Sequence, residues 1–301
     1  MQEIKEQPGI AVVAPSGAPL DDLAVERGLA LLAQQGFKVH SYYQPAHKFQ
    51  RFGATDAERV QQMHAAAQNP DVQIVMALRG SYGMSRLMPH LDLDLLAQSG
   101  KRFVGYSDFT LIHLAMLARN RLSLAGPMLC DDFTREQPCD YTLKQFKDSI
   151  SSEYHTVEFQ TTHEDVELNG RLWGGNLAML AHAVGTPYWA EAQDGILFLE
   201  DIGEHPYRIE RMLLQLHFAG VLSKQKAIIL GNFSAYKLAP HDNGYDFDAM
   251  LGYLRSILDI PVITGLPFGH IRTRASLVVG SDAELKIAAG EVRLGMRYRW
   301  S

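Results

Sequence analysis

Apolar positions recur along this chain with two alternating periods. Residues 10–14 form an unbroken apolar run that stops at Pro15-Ser16-Gly17, which predicts a buried strand followed by a loop. Residues 21–35 then place Val25, Leu29 and Leu32 on one helical face, with Gly36 positioned to end the helix. Thr55 and Glu58 make a capping-box pattern ahead of a second helix running to about Gln68, and residues 72–78 read as the next buried strand. Residues 103–106 and 122–125 predict further short strands. Between them, residues 108–119 are apolar on most sides, so that helix is expected to pack inside the molecule. Strands and helices in this alternation imply a parallel sheet covered on both faces.

The pattern loosens over residues 138–152. A domain boundary is expected near residues 150–165, drawn at 155/156, with an N-terminal α/β unit over 1–155 and a smaller mixed α/β unit over 156–301. Residues 166–173 contain Asn169-Gly170, the strongest short hairpin signal, so a tight turn is expected there. Apolar strands follow at 196–199, 227–230 and 262–264. A helix carries Ile209, Met212, Leu213 and Leu216 at core spacing, and a β-rich tail flanks Gly290. There is no internal repeat and no low-complexity segment.

With 301 residues and 47% hydrophobic content, the chain buries a large core without needing disulfides. Cys130 and Cys139 follow no metal-ligand spacing, and so small a number fits a reducing compartment. Residues 1–9 lack the apolar core and cleavage site of an export signal, and no run of some 18 apolar residues appears, so a soluble, cytoplasmic protein is expected. A net charge of −6 argues against a nucleic-acid partner, because phosphate-backbone binders gather basic residues on one face. It does not argue against a small anionic ligand, which a local group of arginines can attract.

Candidate chemistry begins at Gly105-Tyr106-Ser107-Asp108-Phe109, between a strand and an apolar helix. This is where a nucleophile elbow raises a serine hydroxyl clear of a sheet. Phe109 departs from the usual final glycine, and Ser107 could equally cap the helix. Among twelve histidines, His270 follows a predicted strand and so falls at the edge where α/β sites gather, with His205 as the alternative. His113, His182 and His217 lie in helical patterns and read as packed or surface residues. Glu200 ends an apolar run that delivers it to the same edge, with Asp201 and Glu204 as alternatives. The order Ser, Glu, His matches one known order of serine hydrolases. The glycines of Arg79-Gly80-Ser81-Tyr82-Gly83 would let backbone N–H groups approach an oxyanion. Neither a phosphate-binding loop nor a two-histidine metal motif is present.

Taken together, these segments resemble the LD-carboxypeptidases, or murein tetrapeptide carboxypeptidases, over essentially the whole chain. The resemblance rests on Ala14-Pro15-Ser16-Gly17, the Arg79 and Ser107 segments, Gly126-Pro127-Met128 and Leu172-Trp173-Gly174-Gly175-Asn176-Leu177. It continues through Leu199-Glu200-Asp201, Glu204-His205-Pro206-Tyr207-Arg208 and Phe268-Gly269-His270. It implies a flavodoxin-like N-terminal domain, a smaller C-terminal domain, a homodimer, and neither metal nor other cofactor. It also implies Ser107 as nucleophile, His270 as general base, Glu200 as its orienting acid, and the amides of Gly80 and Asp108 as oxyanion donors. The implied substrate is a muropeptide, a murein tetrapeptide cut before its terminal D-alanine, with Arg79 and Arg208 as candidates to hold the free carboxylate. Ser81 stands where relatives commonly have a second glycine. If that position needs φ > 0, the serine is strained by about 1 kcal/mol. Two other readings stay open: a family member that cleaves peptidyl-nucleotide antibiotics for self-immunity, and a two-domain protein that binds a small ligand without chemistry.

Overall fold

The computed structural model describes residues 7–300, so most of the segment bearing on an export signal lies outside the described residues. Strands β1 Gly9–Val13, β2 Lys38–Ser41, β3 Ile74–Ala77, β4 Arg102–Gly105 and β5 Ser123–Ala125 come first. After them run β6 Tyr154–Gln160, β7 Val166–Asn176, β8 Gly195–Ile202, β9 Gln225–Ser234 and β10 Val262–Thr264. The last three are β11 Leu277–Val279, β12 Asp282–Ala288 and β13 Glu291–Arg297. No helix among the described residues is long and apolar enough to cross a membrane.

Six strands form one sheet in the order β11-β5-β4-β3-β1-β2. Its first five strands in the chain are mutually parallel, and their order, 2-1-3-4-5, is that of flavodoxin-like sheets. Parallel neighbours require crossovers, and helices supply them on both faces, which is why β1 is buried at every position. The helix Asp22–Gln34 starts where the Asp21 carboxylate accepts the N–H groups of Leu23 and Ala24. It ends at Gly36, whose φ of +94° glycine adopts without strain. The helix Asp56–Gln68 opens with the reciprocal Thr55–Glu58 capping box. Because β2 lies on one side of β1 and β3 on the other, the loops after β1 and β3 diverge and leave a crevice at the strands' carboxyl ends.

The second sheet, β10-β9-β8-β7-β12-β13-β6, is mixed. Strands β7 to β10 are parallel, whereas β12, β13 and β6 form an antiparallel flank. The turn expected at Asn169-Gly170 is absent: both residues lie inside the continuous strand β7, paired with Glu284 and Ala283. Glycine serves a different need there, since a Cβ on Gly170 would stand 2.6 Å from the Asp194 carbonyl oxygen. The tight hairpin sits instead at Ala289-Gly290, both with positive φ, between β12 and β13. A cut at 155/156 falls inside β6, and β11 returns from the end of the chain to pair antiparallel with β5 in the first sheet.

Candidate active site

Strand β4 ends at Gly105, and the chain then turns sharply through Ser107–Phe109 before the helix Thr110–Leu117, whose eight residues are all buried. Ser107 has φ +62°, a left-handed conformation that costs a non-glycine residue about 1 kcal/mol. A Cβ on Gly105 would lie 2.8 Å from the Phe109 ring. Phe109, standing where the usual pattern has glycine, therefore fits by folding back over a residue that has no side chain. The capping alternative for Ser107 is not what the structure has: no side chain caps either the turn or the helix. The hydroxyl faces His270 instead, with Oγ 3.1 Å from Nε2.

Glu200 and His270 reach this point from the second sheet. Opposite Glu200 the β8–β9 ladder slips by one residue, with Leu199 paired to Leu230 but Asp201 paired to Phe233. The extra β9 residue makes room for the loop that follows β10: a Cβ on Gly231 would meet the Phe268 carbonyl oxygen at 2.5 Å, and Asn232 N–H donates to that oxygen at 2.7 Å. Gly269, with φ +131°, then lets the chain pass beside Glu200, where a Cβ would be 3.2 Å from Oε2. His270 Nδ1 lies 2.8 Å from Glu200 Oε2. An ionised carboxylate only accepts, so Nδ1 carries the proton and Nε2 is left to accept from the Ser107 hydroxyl. Burial opposes protonation of the ring, but the hydrogen bond and charge of fully buried Glu200 outweigh it and raise the His270 pKa.

The alternatives considered for acid and base are occupied elsewhere. Asp201 accepts from Asn176 Nδ2 at 2.9 Å and from the N–H groups of Ile202 and Ala178. Burial and the neighbouring Glu200 charge still push its pKa up to about 6. Glu204 pairs with Arg208, and His205 with Asp242 at 3.0 Å. His113 is wholly buried between Ser123 Oγ and the Gly105 carbonyl, and burial pushes its pKa down to about 4. It is a packed, neutral histidine.

Gly80 packs close to Ser107 because it lacks a side chain; a Cβ would stand 3.0 Å from Ser107 Cβ. Its carbonyl accepts from Gly17 N–H at 2.9 Å, tying the loop after β3 to the loop after β1. The Asp108 carboxylate accepts from Ser16 Oγ and from Met84 N–H, bracing the same loop from beneath. Ser81 has φ +78°, so the position does require the left-handed conformation, and its Oγ accepts from Arg51 at 2.9 Å. Arg79 lines the cleft and donates to the Ala18 carbonyl at 2.7 Å. Arg208 is half exposed, paired with Glu204, and not among the cleft's lining residues.

Three residues with no role foreseen in the sequence complete the site. Asn176 Nδ2 donates to Glu200 at 3.1 Å as well as to Asp201, while its Oδ1 caps the helix Leu177–Ala183. Tyr106 packs edge-on to the His270 ring, and Arg274 stacks on Tyr106. Asn176 and Tyr106 lay within motifs already singled out, whereas nothing in its sequence neighbourhood marked Arg274. The cleft above Ser107 has a volume of about 470 Å³. Arg79, Asp131, Met179 and Ile202 are on its walls. Among the described residues no group of three or more His, Cys, Asp or Glu side chains is arranged to hold a metal ion.

A buried carboxylate, an imidazole and a strained serine in hydrogen-bonded series, in a cleft also lined by Gly80 and Asp108, form an arrangement suited to acyl transfer. Family models for LD-carboxypeptidases match the chain in two parts, the N-terminal domain over residues 10–126 and the C-terminal domain over 169–285. The crystal structure of a muramoyltetrapeptide carboxypeptidase from Oxalobacter formigenes is similar at 48% identity and TM-score 0.93, covering 97% of this chain and 100% of that one. A putative carboxypeptidase of Synechocystis sp. is 31% identical over 96% of each chain. The microcin C7 self-immunity protein MccF of Escherichia coli is 28% identical over 84% of this chain and 83% of its own. Both halves of the molecule, and the order of their motifs, therefore carry one assignment: the chain belongs to the LD-carboxypeptidase family.

Proposed function

We propose that this protein is a serine-type LD-carboxypeptidase that releases the terminal D-alanine from murein tetrapeptides. The observation that carries the reading is the unbroken series Ser107 Oγ, His270 Nε2, His270 Nδ1, Glu200 Oε2, with separations of 3.1 and 2.8 Å, at the floor of the cleft. His270 takes the Ser107 proton as the oxygen attacks the scissile carbonyl carbon. The oxyanion accepts from the N–H groups of Gly80 and Asp108. His270 then gives its proton to the departing amine, and water, deprotonated by the same ring, clears the acyl-enzyme. Glu200 keeps the proton on Nδ1 and stabilises the imidazolium that forms between the two transfers. Arg79 is the candidate anchor for the substrate carboxylate, because it lines the cleft.

The choice of a murein peptide over a peptidyl-nucleotide is supported by the 48% identity to the muramoyltetrapeptide carboxypeptidase, against 28% to the microcin relative. The homodimer and the cytoplasmic location implied by the resemblance belong to the same reading; sedimentation and cell fractionation decide them. The direct test is incubation with a murein tetrapeptide, with a peptidyl-nucleotide as second arm, read by mass spectrometry. Tripeptide plus alanine from the wild type and neither from Ser107→Ala supports the reading. An intact tetrapeptide with the wild type overturns it.

A further inference from the structure

We propose that Arg274 is the positioning residue for His270, clamping the base's backbone on both sides and fastening it to the strand end that carries Ser107. This rests on the reading of His270 as the base. Arg274 is 1% exposed, and two of its guanidinium nitrogens donate to that one segment. Nε donates to the Gly269 carbonyl at 2.7 Å and Nη2 to the Ile271 carbonyl at 3.1 Å, the carbonyls of the residues immediately before and after His270. Nη2 also donates to the Tyr106 hydroxyl at 2.8 Å, and Nη1 is ion-paired with buried Asp132.

The guanidinium carbon stands 3.9 Å from the centroid of the Tyr106 ring. That ring in turn meets the His270 imidazole edge-on, with centroids 4.9 Å apart. Tyr106 directly precedes Ser107 in the chain. One planar cation therefore touches the backbone on each side of the base and the residue next to the nucleophile, although base and nucleophile come from different sheets. A buried charge is costly, and a packed apolar side chain of similar volume is often at least as stabilising. The specific gain here is a fork of fixed donors, which lysine does not offer. The charged groups facing His270 are Glu200 at the end of β8, Asp131 in the turn Leu129–Phe133, and Arg274 itself.

The test is Arg274→Lys, which keeps a cation opposite Asp132 but cannot hold both carbonyls and stack on Tyr106. Three quantities are measured: kcat and KM on the tetrapeptide, the rate at which a fluorophosphonate labels Ser107, and the NMR titration of the His270 imidazole. A positioning role predicts that kcat and the labelling rate both fall about 10²-fold with KM nearly unchanged. The His270 midpoint should move down towards its ordinary value of about 6.5 as the bond to Glu200 loosens. A variant with a lower Tm but wild-type kcat, labelling rate and His270 midpoint overturns the proposal and leaves Arg274 purely structural. If Arg274→Lys does not fold, Tyr106→Phe removes one partner of the guanidinium and predicts a smaller fall of the same kind, roughly 10-fold; wild-type values for it overturn the proposal equally. Labelling and imidazole titration need no murein peptide. A wild type that is labelled but leaves tetrapeptide intact would sink the substrate assignment while the Arg274 result still stands.

Discussion

His270 is drawn two ways, and the outcome sets the working pH range. Its burial disfavours the imidazolium, while Glu200 at 2.8 Å favours it more strongly, so the folded pKa lies above the ordinary histidine value. As the proposed base, His270 must be neutral to accept the Ser107 proton, so activity is expected to be lost as pH falls through that raised value. The acid limb of kcat/KM should have its midpoint above about 6.5. Glu200→Gln keeps the shape of the contact and removes the charge; kcat should drop on the order of 10³ to 10⁴-fold and the acid limb should shift to lower pH. Near-wild-type activity in Glu200→Gln, with Asp201→Asn inactive, would transfer the orienting role to Asp201. The residues of the hydrogen-bonded series are legible in the sequence because each ends or follows an apolar run, and Ser81, standing where relatives commonly have glycine, takes a φ of +78°. No role for Asn176 or Arg274 is legible in the sequence, because Glu200 lies 24 residues from Asn176, and Tyr106 and Asp132 lie 168 and 142 residues from Arg274, and no local pattern encodes such contacts.

Between single residues and the whole fold stand the strand ends and the glycines that let loops pass them. Gly269 sits with φ +131° where a Cβ would be 3.0 Å from the Asn232 carbonyl oxygen and 3.2 Å from Glu200 Oε2. Gly269→Ala therefore strains the backbone at that φ and makes the Asn232 carbonyl or Glu200 give by a few tenths of an ångström, loosening the His270 contact. A fall in kcat of roughly 10-fold or more is expected, with Ser107 and its turn untouched. Steady-state kinetics together with Tm read this directly, and wild-type kcat in a folded Gly269→Ala protein would remove the argument for the bulge. Periodicity finds β1, β3, β4 and β5 and the capped helices because those signals are local, and misses β2, which has no fully buried position. It failed at Asn169-Gly170, where a strong turn dipeptide lies within an eleven-residue strand, its glycine kept small by the Asp194 carbonyl rather than by a turn. It also passed over β11, three residues long, whose pairing with β5 joins positions some 150 apart in the chain.

At the scale of the molecule, the hydrogen-bonded series is shared between two sheets, with Ser107 after β4 and Glu200 and His270 on and after strands of the second. The carboxyl ends of both parallel sets face the same cleft, so neither sheet alone has a site. This geometry also limits what can be cut. With the proposed roles, a serine fixed by its turn and an oxyanion held by Gly80 and Asp108 would admit one face of a carbonyl, so the substituents on either side of the scissile bond would fall into set places. Inverting the acyl-side centre exchanges its hydrogen and side chain within a cleft of about 470 Å³. Adding one residue moves the free carboxylate away from whatever holds it, and the binding energy lost there is lost in the transition state. The measurement that reaches the centre of the account is kcat/KM on matched peptides. One is a tetrapeptide whose scissile bond joins an L-centre to D-alanine; the other is the pentapeptide ending in D-alanyl-D-alanine. Efficient release of D-alanine from the first, with cleavage of the second at least about 10²-fold slower, is the predicted result. Comparable cleavage of both would contradict LD specificity, even with Ser107 proved to be the nucleophile.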